Sequence, residues 1–308
     1  MPTRYTLRQL EYFVAVGEAG SIALASARVN VSSPSISASI SQLEREFGVP
    51  LFVRQHAQGL SLTQAGRVML EQARVVLREA DRLTDLAGDI TGQVRGPLSI
   101  GCLLTFAQIV LPTVRRSFEA TYPEVQIRQV EMNQAEIYSG LRRADIDIAL
   151  TYDLDIPTDL RFVTLAELPP YVMLGEGHPL AGRDDVSVDD LTGLPMVLLD
   201  LPFSSDYFLS FFQRQGTKPL IAERTRDMAV MRSLVANGYG YAIANIRPQH
   251  DRAPDGKPLI IVPLRGEVRP MRLGLLMAQD GEGASTVRAF IDHCTTLVRT
   301  QVLPGIGR

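Results

Sequence analysis

The stretch Val31-Ser32-Ser33-Pro34-Ser35-Ile36-Ser37-Ala38-Ser39-Ile40-Ser41-Gln42-Leu43-Glu44-Arg45-Glu46-Phe47 decides how the N-terminal part of this chain is read. Ser33 followed by Pro34 has the form of a helix cap and a first-turn proline, where the missing N–H removes no hydrogen bond. Ile36, Ile40, Leu43 and Phe47 then recur on one face of a helix. The opposite face carries Pro34, Ala38, Ser41, Gln42 and Arg45, flanked by Ser35 and Ser37. Small side chains there permit close approach to another surface. Hydroxyls can bond base edges or phosphates, and a helix N-terminus attracts phosphate.

On either side the pattern is that of a small helical head. Leu7, Leu10, Phe13 and Val14 predict a first helix, which Gly17 and Gly20 break. Ser21 is placed to cap a second, with Ile22, Ala25 and Val29 as its apolar stripe and Asn30 as its turn. After Gly48, the runs 51–54 and 60–62 read as two strands of a wing, with Arg54 and His56 towards its tip. Pattern alone fits a winged helix-turn-helix. It equally fits a helical subdomain with a solvated, serine-rich surface.

The order Leu10-Glu11-Tyr12-Phe13, Gly20-Ser21, Val31-Ser32-Ser33-Pro34-Ser35-Ile36-Ser37, Ile40, Leu43-Glu44, Leu51-Phe52-Val53-Arg54 and Leu62-Thr63-Gln64-Ala65-Gly66 resembles the N-terminal signature of LysR-type transcriptional regulators. The resemblance covers about sixty residues at the family's spacing. It implies DNA contacts from Ser33, Pro34, Ser35, Ser37 and Ala38, and from Arg54 in the wing. It also implies a homotetramer on an imperfect palindrome, with RNA polymerase as a further partner. Two positions depart from the family: it usually has arginine where Ala38 stands and often glutamine where Ser33 stands. Through Arg67 the head has six arginines against four glutamates, a weak positive balance that points to low affinity for a single half-site.

From Thr63, a natural cap, to about Thr91 there is no proline. Met69, Ala73, Val76, Ala80, Leu83, Ala87 and Ile90 alternate four and three apart, the seam of a paired helix. A helix of that span is roughly 42 Å long and marginal by itself, so a second copy of the chain is the expected partner. Packing against the chain's own C-terminal part is the alternative.

Gly96-Pro97 reads as a hinge, and beyond it strands and helices alternate. Strands are expected over 98–102, 125–130 and 146–150, with helices over 105–120 and 134–143 between them. A second set has strands at 171–174, 196–199, 220–222 and 241–244, and helices at 206–214 and 227–236. A returning strand over 271–277 and a helix over 287–299 close the chain onto the first set. This is an α/β pattern with parallel sheets. Two lobes crossed twice by the chain resemble type 2 periplasmic binding proteins. The expected organisation is a head over residues 1–62, a linker helix over 63–92 and an effector-binding domain over 93–308. Its lobes would be 93–168 with 266–308, and 169–265. Ligands in such sheets sit beyond the carboxyl ends of the strands. Those ends nominate Leu103, Thr105, Asn133, Tyr152, Pro202, Phe203, Ser204, Ser205 and Asn245. Two helix N-termini, near Thr105 and Ser205, favour an anion, so the expected effector is a small organic acid, aromatic acids included.

Composition narrows the alternatives. The chain has 308 residues, a formal charge of −3 and 45% hydrophobic residues, enough for two or three domain cores. No long apolar run or secretory leader stands out, so a cytoplasmic protein without a membrane partner is expected. Cys102 and Cys294 are too few for a disulfide framework, and the four scattered histidines have no metal-ligand spacing. Asp145 and Asp147 read as strand-edge carboxylates. No nucleophile elbow, P-loop or dinucleotide fingerprint is present, so no cofactor and no catalysis is expected. The rival to a regulator is an enzyme or solute-binding protein of the same two-lobed fold, which would leave residues 1–92 without a role.

Overall fold

The computed structural model describes residues 4–55, 59–91, 93–279, 281–300 and 303–306. The chain forms two compact units, Met1–Gln93 and Val94–Arg308.

The first unit contains α1 (Leu7–Ala19), α2 (Ile22–Val29), α3 (Ser33–Phe47), a hairpin of β1 (Phe52–Gln55) and β2 (Gly59–Leu62), and α4 (Gln64–Thr91). Leu10, Phe13, Val16, Ala25, Ile36, Ile40, Leu43 and Leu51 form its core. Leu7, expected on the inner face of α1, is 46% exposed, and Val16 is buried in its place. The start of α1 is fixed by a capping box between Thr6 and Gln9. Gly17 lies inside α1 rather than breaking it. A methyl there would come within 2.9 Å of Leu70, so glycine lets α4 pack close. Ser21 caps α2, and Asn30 ends it in the left-handed region, φ 53°. The antiparallel hairpin pairs Phe52 with Leu62 and Gln55 with Gly59.

α4 has the expected length, but its first turns belong to the head. Leu70 and Ala73 are buried in the head's core, with Met69, Val76 and Leu77 packed on it. Three members of the seam (Met69, Ala73, Val76) therefore cover α1, which would otherwise expose its apolar face. Leu83 is 69% exposed. The side chains of Ala87 and Ile90 lie outside the described residues.

The second unit begins with β3 (Gly96–Leu103), α5 (Leu104–Ile109), α6 (Leu111–Thr121), β4 (Val125–Met132), α7 (Gln134–Arg143), β5 (Ile148–Tyr152) and β6 (Leu160–Leu168). It continues with β7 (Tyr171–Gly175), β8 (Val186–Ser187), α8 (Val188–Leu191), β9 (Pro195–Leu199), α9 (Ser204–Arg214), β10 (Leu220–Thr225), α10 (Met228–Ala236), β11 (Ala242–Ala244) and β12 (Leu259–Arg265). It closes with β13 (Met271–Ala278) and α11 (Ser285–Thr300). One sheet has the order β4-β3-β5-β13-β6. Its β4, β3 and β5 run parallel, whereas β13 is antiparallel to β5 and β6. In the other set of strands β9 and β10 are parallel, and a bridge from Met196 to Tyr241 links them to the sheet β11-β7-β12-β8. The chain passes between the two sets twice, from β6 to β7 through Pro169 and Pro170, and from β12 to β13.

One long helix was expected over 105–120, and two are found. Pro112 lacks an N–H, and its ring would clash with the carbonyl four residues back, so the helix stops at Val110 and restarts with Pro112 in its first turn. α11 packs on α6, where the fully buried rings of Phe290 and Phe118 meet edge to face at 5.1 Å. Asp147 is structural, as read: its Oδ2 accepts the Ser99 N–H at 2.7 Å and pins β5 to β3.

Candidate nucleic-acid interface and effector cavity

The sequence reading of α3 holds with one shift at its start. Ser32, not Ser33, is the N-cap and accepts the Ser35 N–H, placing Pro34 in the first turn. Ser35, in the third helical position, supplies the N–H that the cap bonds, while Pro34 in the second has none to offer. Ile36 and Leu43 are fully buried and Ile40 nearly so. Pro34, Ser35, Ala38, Ser41, Gln42 and Arg45 are exposed, and Ser33 and Ser37 are half-buried. One side of α3 thus holds the head together and the other offers small and polar groups to an external surface. Glu44 buttresses it from behind: its Oε1 accepts the Leu51 N–H at 2.8 Å and the Phe52 N–H at 3.3 Å, fixing β1 to α3. Arg54 lies on β1, but its side chain and the whole of His56 fall outside the described residues.

In the second unit a cavity of about 270 Å³ lies where strands from both sets end. Leu103 ends β3, Met132 ends β4 and Asn133 follows it, Tyr152 ends β5, Leu199 ends β9, and Ala244 ends β11 with Asn245 following; all line it. Phe208, Met228, Ile246 and Met271 add apolar wall. Of the residues nominated from sequence, Leu103, Thr105, Asn133, Tyr152, Pro202, Ser204 and Asn245 border the cavity. The hydroxyls of Thr105 and Ser204 make no hydrogen bond among the described residues. Asn133 caps α7, its Oδ1 accepting the Glu136 N–H at 3.0 Å.

Two nominated residues are not cavity wall. Ser205 Oγ donates back to the Leu201 carbonyl at 3.1 Å, so the hydroxyl serves the first turn of α9. Phe203 precedes α9 at φ 66°, ψ −36°, and its ring packs on Tyr138 of α7 at 5.5 Å. Thr105 also does not start a helix: Leu103 is the cap position of α5, and α5 has only six residues.

The structure brings to the cavity five polar residues that sequence reading missed: Gln108, Glu131, Gln134, Glu136 and Arg226. Gln134, buried at the start of α7, donates to Tyr138 Oη at 2.7 Å and to the Tyr152 carbonyl at 3.2 Å. Its Oε1 accepts from the Thr151 hydroxyl. Arg226 is exposed at the rim and makes no ion pair or hydrogen bond among the described residues. It lies between the end of β10 and Asp227, the cap of α10. β10 was expected to stop at 222, and placing its end at Thr225 would have brought Arg226 into view. Glu131 and Glu136 also line the rim, but Glu136 is bonded to the Asn133 N–H at 2.7 Å and Glu131 accepts from Gln129 at 2.7 Å.

Both thiols are buried, Cys102 with no exposure and Cys294 with 1%. Burial pushes both well above the ordinary thiol range, so neither carries the reactive thiolate. Native protein is expected to show no thiol fast-reacting with Ellman's reagent and both after denaturation. Millimolar peroxide should leave DNA affinity unchanged. A rapidly labelled thiol in the folded protein would contradict the buried placement. Among the described residues no cluster of potential metal ligands occurs, and no helix is long and apolar enough to cross a membrane.

Residues 7–67 match the family model described as a bacterial regulatory helix-turn-helix protein of the lysR family. Residues 91–299 match that of the LysR substrate binding domain. The hca operon transcriptional activator HcaR of Escherichia coli is 28% identical over 289 residues, 92% of this chain and 95% of its own. A hydrogen peroxide-inducible genes activator of Pectobacterium carotovorum is 30% identical over 238 residues, 77% of this chain and 78% of its own. Among solved structures, HinK of Pseudomonas aeruginosa, a LysR family transcriptional regulator, is 34% identical with a TM-score of 0.64, covering 96% of this chain and 99% of that one.

Proposed function

We propose, from the premise that this chain belongs to the LysR family of transcriptional regulators rather than to the enzymes or solute receptors that share its two-lobed fold, that it couples DNA binding to a small organic acid held in the cavity. In this reading the head over residues 1–62 and the linker over 63–92 serve one task, and the effector domain over 93–308 serves another. α3 enters the major groove with Ser33, Pro34, Ser35, Ser37, Ala38, Ser41, Gln42 and Arg45, and Arg54 follows the backbone from the wing. The exposed Leu83 supports pairing of linker helices between copies within a cytoplasmic homodimer or homotetramer. An effector that binds one arrangement of the lobes more tightly than another shifts the spacing of the heads, and through it the recruitment of RNA polymerase.

The acid assignment rests on one observation above others: Arg226, a cation without a partner among the described residues, stands at the rim of an otherwise largely apolar cavity. The hydroxyls of Thr105 and Ser204, also without partners among the described residues, offer donors to a carboxylate. An apolar body with one anionic end satisfies all three. In a thermal-shift screen, small carboxylic acids should raise the melting temperature and their methyl esters should not. Arg226→Ala should weaken the best acid about five- to tenfold, the scale of one partly solvated charge-assisted hydrogen bond. Binding restricted to cationic compounds would defeat this assignment.

A further inference from the structure

Among the described residues, the buried side-chain oxygens without a hydrogen-bond partner belong to Ser39, Tyr241, Asn245 and Ser285. Of these, Asn245 alone lines the cavity. It is 6% exposed, so bulk water does not satisfy its Oδ1. The amide cannot escape by turning over. Its Nδ2 donates to the Leu168 carbonyl at 2.8 Å and to Tyr207 Oη at 3.0 Å. Reversing it would set Oδ1 against the Leu168 oxygen, acceptor against acceptor. Tyr207 has no proton to offer, because its hydroxyl donates to the Arg269 carbonyl at 2.5 Å. Burial pushes the Tyr207 phenol up to about 12, so it stays protonated and that direction is fixed.

The two anchors of this amide, Leu168 and Tyr207, lead to the two connections between the lobes. Leu168 ends β6, just before the first connection, and Arg269 lies in the second. Asp153, at the end of β5, holds the second connection from the other side. Its Oδ2 pairs with Arg269 at 3.1 Å and with Arg272 at 2.7 Å. The guanidinium of Arg269 in turn sits 5.8 Å from the centre of the Tyr207 ring. One side chain of the cavity wall is thus bonded, directly or through Tyr207, to both hinges, and its remaining atom, Oδ1, is a buried acceptor without a partner among the described residues, which a donor reaches only by a shift of the wall in front of it.

We infer that the effector carries, beside its acid group, a hydrogen-bond donor that seats on Asn245 Oδ1, so that hydroxylated or N–H-bearing acids are recognised over plain ones. The inference rests on the reading of this cavity as an acid site. An acid without a donor covers the oxygen and leaves it unmatched, which costs binding. A donor removes that cost. It also polarises the amide so that Nδ2 holds Leu168 and Tyr207 more firmly, since linked hydrogen bonds strengthen one another. The same contact therefore selects the ligand and stiffens both hinges.

The test is calorimetric titration of the full-length protein with matched series of acids. Each series contains a parent, its hydroxylated forms and the methyl ethers of those forms: benzoate with its monohydroxy and monomethoxy relatives, 3-phenylpropanoate with its 2-hydroxy and 2-methoxy forms, and succinate with malate and methoxysuccinate. The best hydroxylated acid should bind about tenfold or more tighter than both its parent and its ether. The ether matches the hydroxyl in acceptor and exceeds it in bulk, so this arm requires no folded variant. In Asn245→Ala, with the fold checked by circular dichroism, the preference for hydroxyl over parent should fall close to one. Parents and ethers binding as tightly as hydroxylated acids would overturn the donor while leaving the acid site intact. Failure of every acid to bind, alongside binding of neutral or cationic compounds, would overturn the acid site itself and the donor with it.

Discussion

Ala38→Glu is expected to weaken operator binding about a hundredfold or more while leaving the melting temperature nearly unchanged. Ala38 lies on the exposed side of α3, opposite Ile36, Ile40 and Leu43, and its methyl makes no polar contact to lose. Glutamate is almost as good a helix former as alanine, so the head should keep its fold. Against DNA the new carboxylate faces phosphate and base acceptors. A cost of ~1.5 kcal/mol for each head, taken twice in a two-headed complex, gives ~3 kcal/mol, or roughly 150-fold. Arginine at the same position should act oppositely. It restores a donor that the family usually has there, tightens binding, and steepens the salt dependence by about 0.9 for each phosphate engaged. Fluorescence anisotropy against salt concentration reads both effects. Equal affinity for the alanine and glutamate proteins would mean that this side of α3 does not meet DNA.

The largest effect on stability is expected from Gly66→Ala. In an ordinary helix this exchange stabilises by about 1 kcal/mol. Here the added methyl would fall 2.0 Å from the Leu51 carbonyl oxygen and 3.2 Å from Leu62 Cδ2. The carbonyl cannot give way freely, because it accepts the Thr63 N–H at 3.0 Å. Thr63 in turn donates to the Pro50 carbonyl at 2.7 Å, and its Oγ1 accepts the Gly66 N–H at 2.8 Å. Relief therefore requires the wing, the cap of α4 or both to move, costing about 3 kcal/mol or more. For a unit of this size that is a fall of roughly 15 °C in its melting temperature. Differential scanning calorimetry should show the head's transition shifting down while that of the effector domain stays in place. DNA binding should be lost with the head. A stabilised head would show that the helix and the wing are not packed this closely.

Legibility in the sequence followed the strength of local chemistry. α7 was readable to both ends because Asn133 and Glu136 form a capping box before an amphipathic run. The cavity wall was mostly readable because topology puts ligands at strand ends, and strand ends can be counted along the chain. β6 and β12 went unread. β6 buries only its first and last residues fully, so it lacks a period-two signal, and Pro263 interrupts the apolar run of β12. Phe203 and Ser205 were misplaced because helical phase in a first turn depends on where the cap falls. The seam of α4 is a periodicity in the sequence. The periodicity could not say which surface would meet it, and the neighbouring α1 claimed the first part.

That division of α4 has a mechanical meaning. Leu70 and Ala73 are sealed into the same interior as Phe13 and Leu43, and Arg74 reaches back to Glu18 of α1 at 3.0 Å. The reading helix and the rod behind it are therefore machined as a single piece, like the bit and shank of a key. A turn of this part of α4 therefore carries α3 with it, because both are packed into that one interior.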